Sequence, residues 1–154
     1  MAEVENPNLL WEVGTVLQNR PAYFLSLSPE VQASFDFNIY GAPANGTARL
    51  DTELYMASTR EQAVYWEESR YLRGDVYSLQ NESPSQEFTL DINQINNRID
   101  NIQENLRYRG GSTTVKIIST VKIDGNIGGK DVEINETYEL PINSRQPSTF
   151  CLLR

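Results

Sequence analysis

Apolar and polar residues alternate along most of this chain, and the alternation restricts the fold more than any other feature of the sequence. A period of two is typical of β-strands that bury one face. It is clearest in Val31, Ala33, Phe35, Phe37 and Ile39, which are separated by polar residues. The pattern predicts strands at 10–17, 22–27, 31–39, 47–58, 64–72, 87–90, 115–123, 132–140 and 150–153.

Turn-forming residues separate these segments. Gly, Ala, Pro and Asn fill 41–46 and predict a hairpin loop that joins strand 31–39 to strand 47–58. Segment 64–72 alternates less regularly, which predicts a β-bulge. Segment 81–85 is polar and predicts a loop. Gly125, at the centre of 124–126, predicts that the connection between strands 115–123 and 132–140 begins there.

The spacing of the apolar residues changes once, over residues 92–106. The spacings of three and four residues between successive apolar positions place them on one face of a helix. Asp91 followed by Gln94 resembles a capping box, and Gly110 with Gly111 predicts the stop. This stripe, which we expect to cover the β core, consists of Ile92, Ile95, Ile99, Ile102 and Leu106.

Together these segments predict a mostly β fold: an antiparallel β-sandwich, Ig-like or jelly-roll-like, with one amphipathic α-helix inserted between strands. About eight short strands separated by turns are typical of that class. A partly open barrel is the alternative. The 154 residues fit a single domain, 1–154, because a chain of this length buries roughly 70% of its unfolded surface.

Composition narrows the function classes. The formal net charge of −8 repels phosphate backbones, so nucleic acid is not an expected partner. The chain has no histidine and one cysteine, Cys151, which excludes an intrachain disulfide, a cysteine zinc site and histidine-based nucleophile activation. We therefore predict no catalytic residue, no cofactor and no metal, and a protein that is not an enzyme.

Two pairs of carboxylates are candidates for a glycosidase site, since glycosidases need two carboxyl groups at a set separation. Asp51 and Glu53 share one side of a strand, and Glu67 and Glu68 follow Trp66. A solvated strand face opposite the apolar positions is the favoured interpretation of both pairs.

Two further motifs have an ordinary structural explanation. Asp124 and Asn126, with Asp131, resemble a calcium loop, but the ligand spacing and the terminal glutamate are missing, which favours a hairpin turn. A serine–lysine nucleophile pair would need Lys116 or Lys122, and both are expected on the solvated face of their strand, opposite its apolar residues.

Aromatic residues cluster in one segment. Tyr65, Trp66 and Tyr71, with Tyr77 nearby, are candidates for a sugar-binding platform, although core packing is the commoner role of such residues. An exposed Trp66 ring beside a groove would favour a carbohydrate-binding or carbohydrate-cleaving domain, and a buried ring would favour a binding or assembly module.

Sequons and the start of the chain bear on location. Asn81-Glu82-Ser83 matches a sequon, but Pro84 follows it directly. Asn45 and Asn135 each begin an Asn-X-Thr triplet and are glycosylation candidates if the domain is outside the cell. The acidic segment 1–7 has no apolar stretch and predicts no signal peptide. That leaves a cytoplasmic protein or an excised piece of a longer one.

Several short features follow one another over roughly residues 8 to 143: segment 17–24, Ser28-Pro29, segments 64–67 and 88–93, and the glycines Gly125, Gly128 and Gly129. Their succession resembles an archaeal family of uncharacterised membrane proteins.

The resemblance implies an extracytoplasmic domain held between two transmembrane segments, and so an excised ectodomain on the extracellular face of the membrane. It supplies no catalytic residues. It implies partners among other cell-envelope proteins, and contact with the membrane only through flanking segments.

Overall fold

The computed structural model describes residues 1–17, 30–40, 43–146 and 149–152. Most of the described residues lie in strands, and one helix is inserted between strands in these ranges, so the predicted mostly β class is confirmed. The elements are β1 (Ala2–Glu3), β2 (Val16–Leu17), β3 (Glu30–Asp36), β4 (Ala44–Arg60), β5 (Ala63–Ser78), β6 (Ser85–Asp91), α1 (Ile92–Leu106), β7 (Ser112–Ile127), β8 (Lys130–Gln146) and β9 (Thr149–Leu152).

One layer is a five-stranded antiparallel sheet with the order β5-β4-β7-β8-β9. Alternation on β4 and β7 gives this sheet an apolar inner face and a polar outer face. Leu50 lies opposite Val121, and Leu54 lies opposite Ile117. Because period two sends successive side chains to opposite faces, these residues all lie on the inner face.

The second layer covers the inner face and consists of the antiparallel ribbon β3-β6 and helix α1. Val31 of β3 and Leu90 of β6 are buried in one core cluster with residues of β4, β7 and α1. Phe35 and Phe37 pack with Leu50 in a second cluster. The two layers together form the sandwich-like arrangement that the alternation predicts.

A buried polar contact also joins the layers. Gln86 of β6 is 1% exposed, and its side chain reaches the sheet. The Thr52 hydroxyl donates to Gln86 Oε1 at 2.6 Å, and Gln86 Nε2 donates to the Leu50 carbonyl at 2.9 Å. The contact satisfies polar groups of both layers and so fixes the position of β6 over β4.

The helix has the predicted bounds but not the predicted stop. Asp91 caps its start by accepting from the Gln94 N–H at 3.0 Å. The helix ends at Arg107, which adopts the left-handed conformation with φ 52°, and not at Gly110-Gly111. Gly111, with φ 81°, instead lets the chain pass close to Ser58 and Thr59 as it enters β7.

Three local predictions are wrong. Strand 10–17 shrinks to β2, because the Asn8 side chain accepts from the N–H groups of Leu10 and Trp11 and holds a turn there. Segment 41–46 does not close a hairpin, since β3 pairs with β6. The connection from β7 to β8 lies at Gly128-Gly129, both with positive φ, and not at 124–126, which belong to β7.

Other strand predictions agree with the structure. The bulge in segment 64–72 is confirmed by a register shift, in which Thr52 pairs with Arg73 and Glu53 pairs with Tyr71. The loop at 81–85 is present up to the start of β6. Predicted strand 22–27 lies outside the described residues.

Replacing Gly46 with alanine is expected to destabilise the protein by about 2 kcal/mol or more, because Gly46 combines φ 115° with close contact to β7. A Cβ there would lie 2.4 Å from the Asp124 carbonyl oxygen. Gly129→Ala is the matched control: it has φ 83° with nothing within 4 Å. Urea unfolding checks both variants, and equal losses would contradict the steric argument.

Candidate functional site

The aromatic residues of β5 do not form one platform. Trp66 is 8% exposed and belongs to the core cluster, so its ring is not available for stacking on a ligand. Tyr65 lies on the opposite face of the strand, half exposed and 5.1 Å from the Tyr108 ring. Tyr71 is exposed on the outer face, and its hydroxyl donates to Asp51. Tyr77 is half-buried and donates to the Ser85 carbonyl.

The two pairs of carboxylates also occupy separate positions. Glu67 and Glu68 are neighbours in β5 and therefore point to opposite faces of the sheet. The Tyr55 hydroxyl donates to Glu67 at 2.7 Å on the outer face, whereas Glu68 forms an ion pair with Arg98 of α1. This arrangement does not direct Glu67 and Glu68 toward one substrate.

Asp51 lies on the outer face, as its parity predicts, at 2.7 Å from Arg49 Nε. The hydrogen bond from Arg49 lowers the pKa of the Asp51 carboxyl, which therefore stays charged at neutral pH.

The outer face carries a ladder of polar contacts across the four neighbouring strands β5, β4, β7 and β8. Lys116 Nζ lies 2.8 Å from Glu139 and 5.1 Å from the centre of the Tyr55 ring. The hydrogen bond from Tyr55 to Glu67 raises the pKa of Tyr55 to about 12. The sequence showed which residues share this face but not which strands are neighbours, so the ladder was not predicted.

Asn45 and Asn135, the two sequon residues, are exposed on the outer face. Asn45 lies opposite Asn126, and Asn135 lies opposite Lys122. Both acceptors are therefore on the side of the sheet that the β3-β6 ribbon and α1 do not cover.

The open edge of β8, defined here as the side of residues 130–141 that faces away from β7, was not found from the sequence. β7 pairs with β8 without interruption from Val115↔Ile142 to Ile127↔Lys130. On the other side of β8, β9 pairs only with residues from Ile142 onward. In the described part of the chain, no strand therefore pairs with the open edge, which presents backbone donors and acceptors.

The edge of β5 differs from the open edge of β8. It contains the bulge at Leu72, and Arg73 Nη1 donates to the Glu87 carbonyl of β6. Bulges and covering contacts are among the devices by which sheets discourage pairing at an edge. β8 has no register shift between Lys130 and Ile142, so it is the more regular edge of the two.

The Glu68–Arg98 ion pair predicts a small, acid-sensitive contribution to stability. The hydrogen bond from Arg98 lowers the folded-state pKa of Glu68, so the contribution is present above the unfolded value of about 4.5 and is lost as pH falls through the lowered value. Both side chains are partly exposed, so solvent screening keeps this contribution small. Thermal unfolding of Glu68→Gln is expected to show a small loss at pH 7 that disappears as the pH falls below the lowered pKa of Glu68. A loss that persists at the lower pH would contradict this origin.

The described ranges contain neither a cluster of metal ligands nor a membrane-spanning helix. No group of three or more Asp, Glu or Cys side chains in them is placed to hold a metal ion. Asn126 Nδ2 instead donates to Asp131, and its Oδ1 accepts from the Gly129 N–H, so both Asn126 contacts belong to the hairpin. No helix in these ranges combines the length and hydropathy of a bilayer span.

Comparison with known proteins agrees with the resemblance to an archaeal family of unknown function. The model of a family described as "Family of unknown function (DUF5305)" matches residues 66–152. The chain is also 27% identical over 149 residues to an uncharacterised protein of Archaeoglobus fulgidus. The alignment covers 92% of this chain but 42% of that protein, so the chain spans less than half the length of this relative. No solved structure matches.

Proposed function

The chain belongs to the DUF5305 family, whose function is unknown, and we propose that this domain is a non-enzymatic binding or assembly module on the extracellular face of an archaeal cell membrane. Flanking transmembrane segments of a longer protein would anchor it there. Its partners would be other proteins of the cell envelope.

The open edge of β8 is the observation that supports a binding role most directly. A long, regular edge strand offers main-chain hydrogen bonds to an added strand, and this mode of recognition needs no pocket and no reactive side chain. It suits a protein whose sequence lacks histidine and carries a lone cysteine.

The carbohydrate alternative has lost its main support. It depended on Trp66 as a stacking ring and on Glu67 and Glu68 as a pair. Trp66 is buried, and the two glutamates lie on opposite faces of the sheet. No contact among the described residues favours this alternative over the binding module.

Location is tested by expressing the intact gene with a short tag inserted in the exposed loop at Glu82–Ser83. We expect the tag to react with a membrane-impermeant label in unbroken cells, and Asn45 and Asn135 to be the positions at which any N-glycan is found. Protection of the tag until the cells are permeabilised would contradict the proposed location.

The non-enzymatic role is tested separately with envelope glycans and peptides as substrates. We expect no turnover by the purified domain. Turnover that is lost in Glu67→Gln or Glu68→Gln would contradict the proposal, whereas Glu53→Gln, on the same sheet, is the matched control.

A further inference from the structure

We infer that the open edge of β8 accepts an extended segment of a partner protein in which basic side chains alternate with apolar ones. This inference rests on the proposed binding role and specifies its site and its partner. It follows from the charge of β8, from the two faces that β8 presents, and from the place where β9 stops.

The open edge of β8 is acidic. Residues 130–141 contain four carboxylates and one lysine. Asp131, Glu133 and Glu139 share the outer face with Asn135 and Thr137, since they have the same parity. Opposite charges on directly facing residues of neighbouring strands stabilise a pair, and like charges destabilise it. A strand added here is therefore favoured if lysine or arginine lies on its outer face.

The inner face of β8 borders the core. Ile134 and Leu140 pack against the two core clusters, and Tyr138 is 39% exposed at the border of the core. The Tyr138 ring lies 5.4 Å from Phe35 and 6.3 Å from Phe37 in the covering layer. Glu136 also lies on this face, where its carboxylate accepts from the Tyr138 hydroxyl. An added strand would extend a border that is otherwise apolar, so its inner-face side chains are expected to be mainly apolar.

β9 limits the length of the edge that a partner strand can occupy. The partner strand must end near Pro141, because β9 occupies the edge from Ile142 onward. Pro141 also has no backbone N–H to donate. The available edge, residues 130–141, is about 40 Å long at roughly 3.3 Å per residue.

Charge disfavours one register in which a second copy of this chain could pair with the edge. Two β8 edges that pair antiparallel about Glu136, with their outer faces on one side, would place Glu133 against Glu139 and Glu136 against itself. Such like-charge pairs are destabilising. The charges that discourage this register are also the ones that favour a basic partner.

The experiment uses synthetic peptides of about nine residues, long enough to pair with most of the edge. One alternates lysine with valine, a second alternates glutamate with valine, and a third contains the lysines and valines in two blocks. Binding is measured by titration, and the site by amide hydrogen exchange. We expect only the alternating lysine peptide to bind and to slow exchange at alternate residues of 130–141.

Charge reversal provides the decisive variant. Glu133→Lys with Glu139→Lys is expected to weaken the lysine peptide about tenfold and to give the glutamate peptide measurable binding. The matched control, Glu61→Lys with Glu104→Lys, makes the same change in net charge at exposed positions away from β8. Unchanged exchange protection in β7 shows that each variant is folded.

Several results would overturn the inference. They are no slowing of exchange in β8, equal binding of all three peptides, equal weakening by the control variant, or a dimer protected at β8 without peptide. This assay is independent of location: binding by a domain that proves to be intracellular would overturn the proposed location and leave the edge as the binding site.

Discussion

Replacing Ile99 with aspartate is expected to destabilise the protein by about 3–5 kcal/mol, because it buries an unpaired carboxylate in the core. Ile99 is 3% exposed and lies in the same core cluster as Leu54 and Val115 of the sheet. A loss of this size is a large fraction of the roughly 5–15 kcal/mol by which domains are stable. The variant is therefore expected to be largely unfolded or to melt far below the parent.

Leu106→Asp is the matched control for this prediction. It belongs to the same predicted stripe, but Leu106 is 54% exposed at the end of α1. Its loss is expected to stay within about 0.5 kcal/mol, the usual range for surface changes. Circular dichroism during urea unfolding measures both variants. Equal stabilities for the two would mean that α1 does not pack on the sheet through Ile99.

Replacing Gln86 with leucine is expected to cost about 2–4 kcal/mol, although leucine is similar in size and apolar. The reason is that Gln86 bonds three groups: the Thr52 hydroxyl, the Leu50 carbonyl and, at 3.0 Å, the Asp75 carboxylate. Without it, the Leu50 carbonyl loses a partner that water cannot replace, and the buried Thr52 hydroxyl keeps only Ser119 Oγ, at 3.0 Å.

A double variant identifies the origin of that loss. Gln86→Leu with Thr52→Val removes both ends of one hydrogen bond, so its total cost is expected to be smaller than the sum of the two single costs. Gln94→Leu, on the exposed side of α1, is the control for a change of glutamine to leucine and is expected to be nearly neutral. Additive costs in the double variant would show that the contact does not join the two layers.

The sequence predicted α1 well because the information for it is local. The change of period begins at Ile92, and Asp91 provides a cap that acts over three residues. Its end was harder to predict, since Arg107 adopts a positive φ without being glycine. Nothing in the residue type signals that conformation.

Strand partners could not be predicted in the same way. Alternation identified β3 and β4 as strands, and proximity in the chain suggested that they pair. Gly46 supported a turn there, but the structure uses it for close approach to Gly125 within the β4-β7 ladder. Pairing depends on which apolar faces can be buried together, and that is a property of the whole chain.

The candidate site shows the same limit. Parity placed Lys116 and Asp51 on the polar side of their strands, and the structure confirms both positions. On β5, however, both parities contain aromatic and charged residues, so the burial of Trp66 could not be deduced. The open edge of β8 required knowledge of where β9 stops.

The most direct test of the account is photocrosslinking from the open edge in unbroken cells. A photoreactive amino acid replaces Thr137 of β8 in the intact gene, and the control replaces Thr114, which is exposed on the same face but lies on the central strand β7. We predict that position 137 crosslinks, more than position 114, to a segment of an envelope protein with lysine or arginine on alternate residues. No crosslink from position 137, equal yields from both positions, or an acidic crosslinked segment would contradict the account.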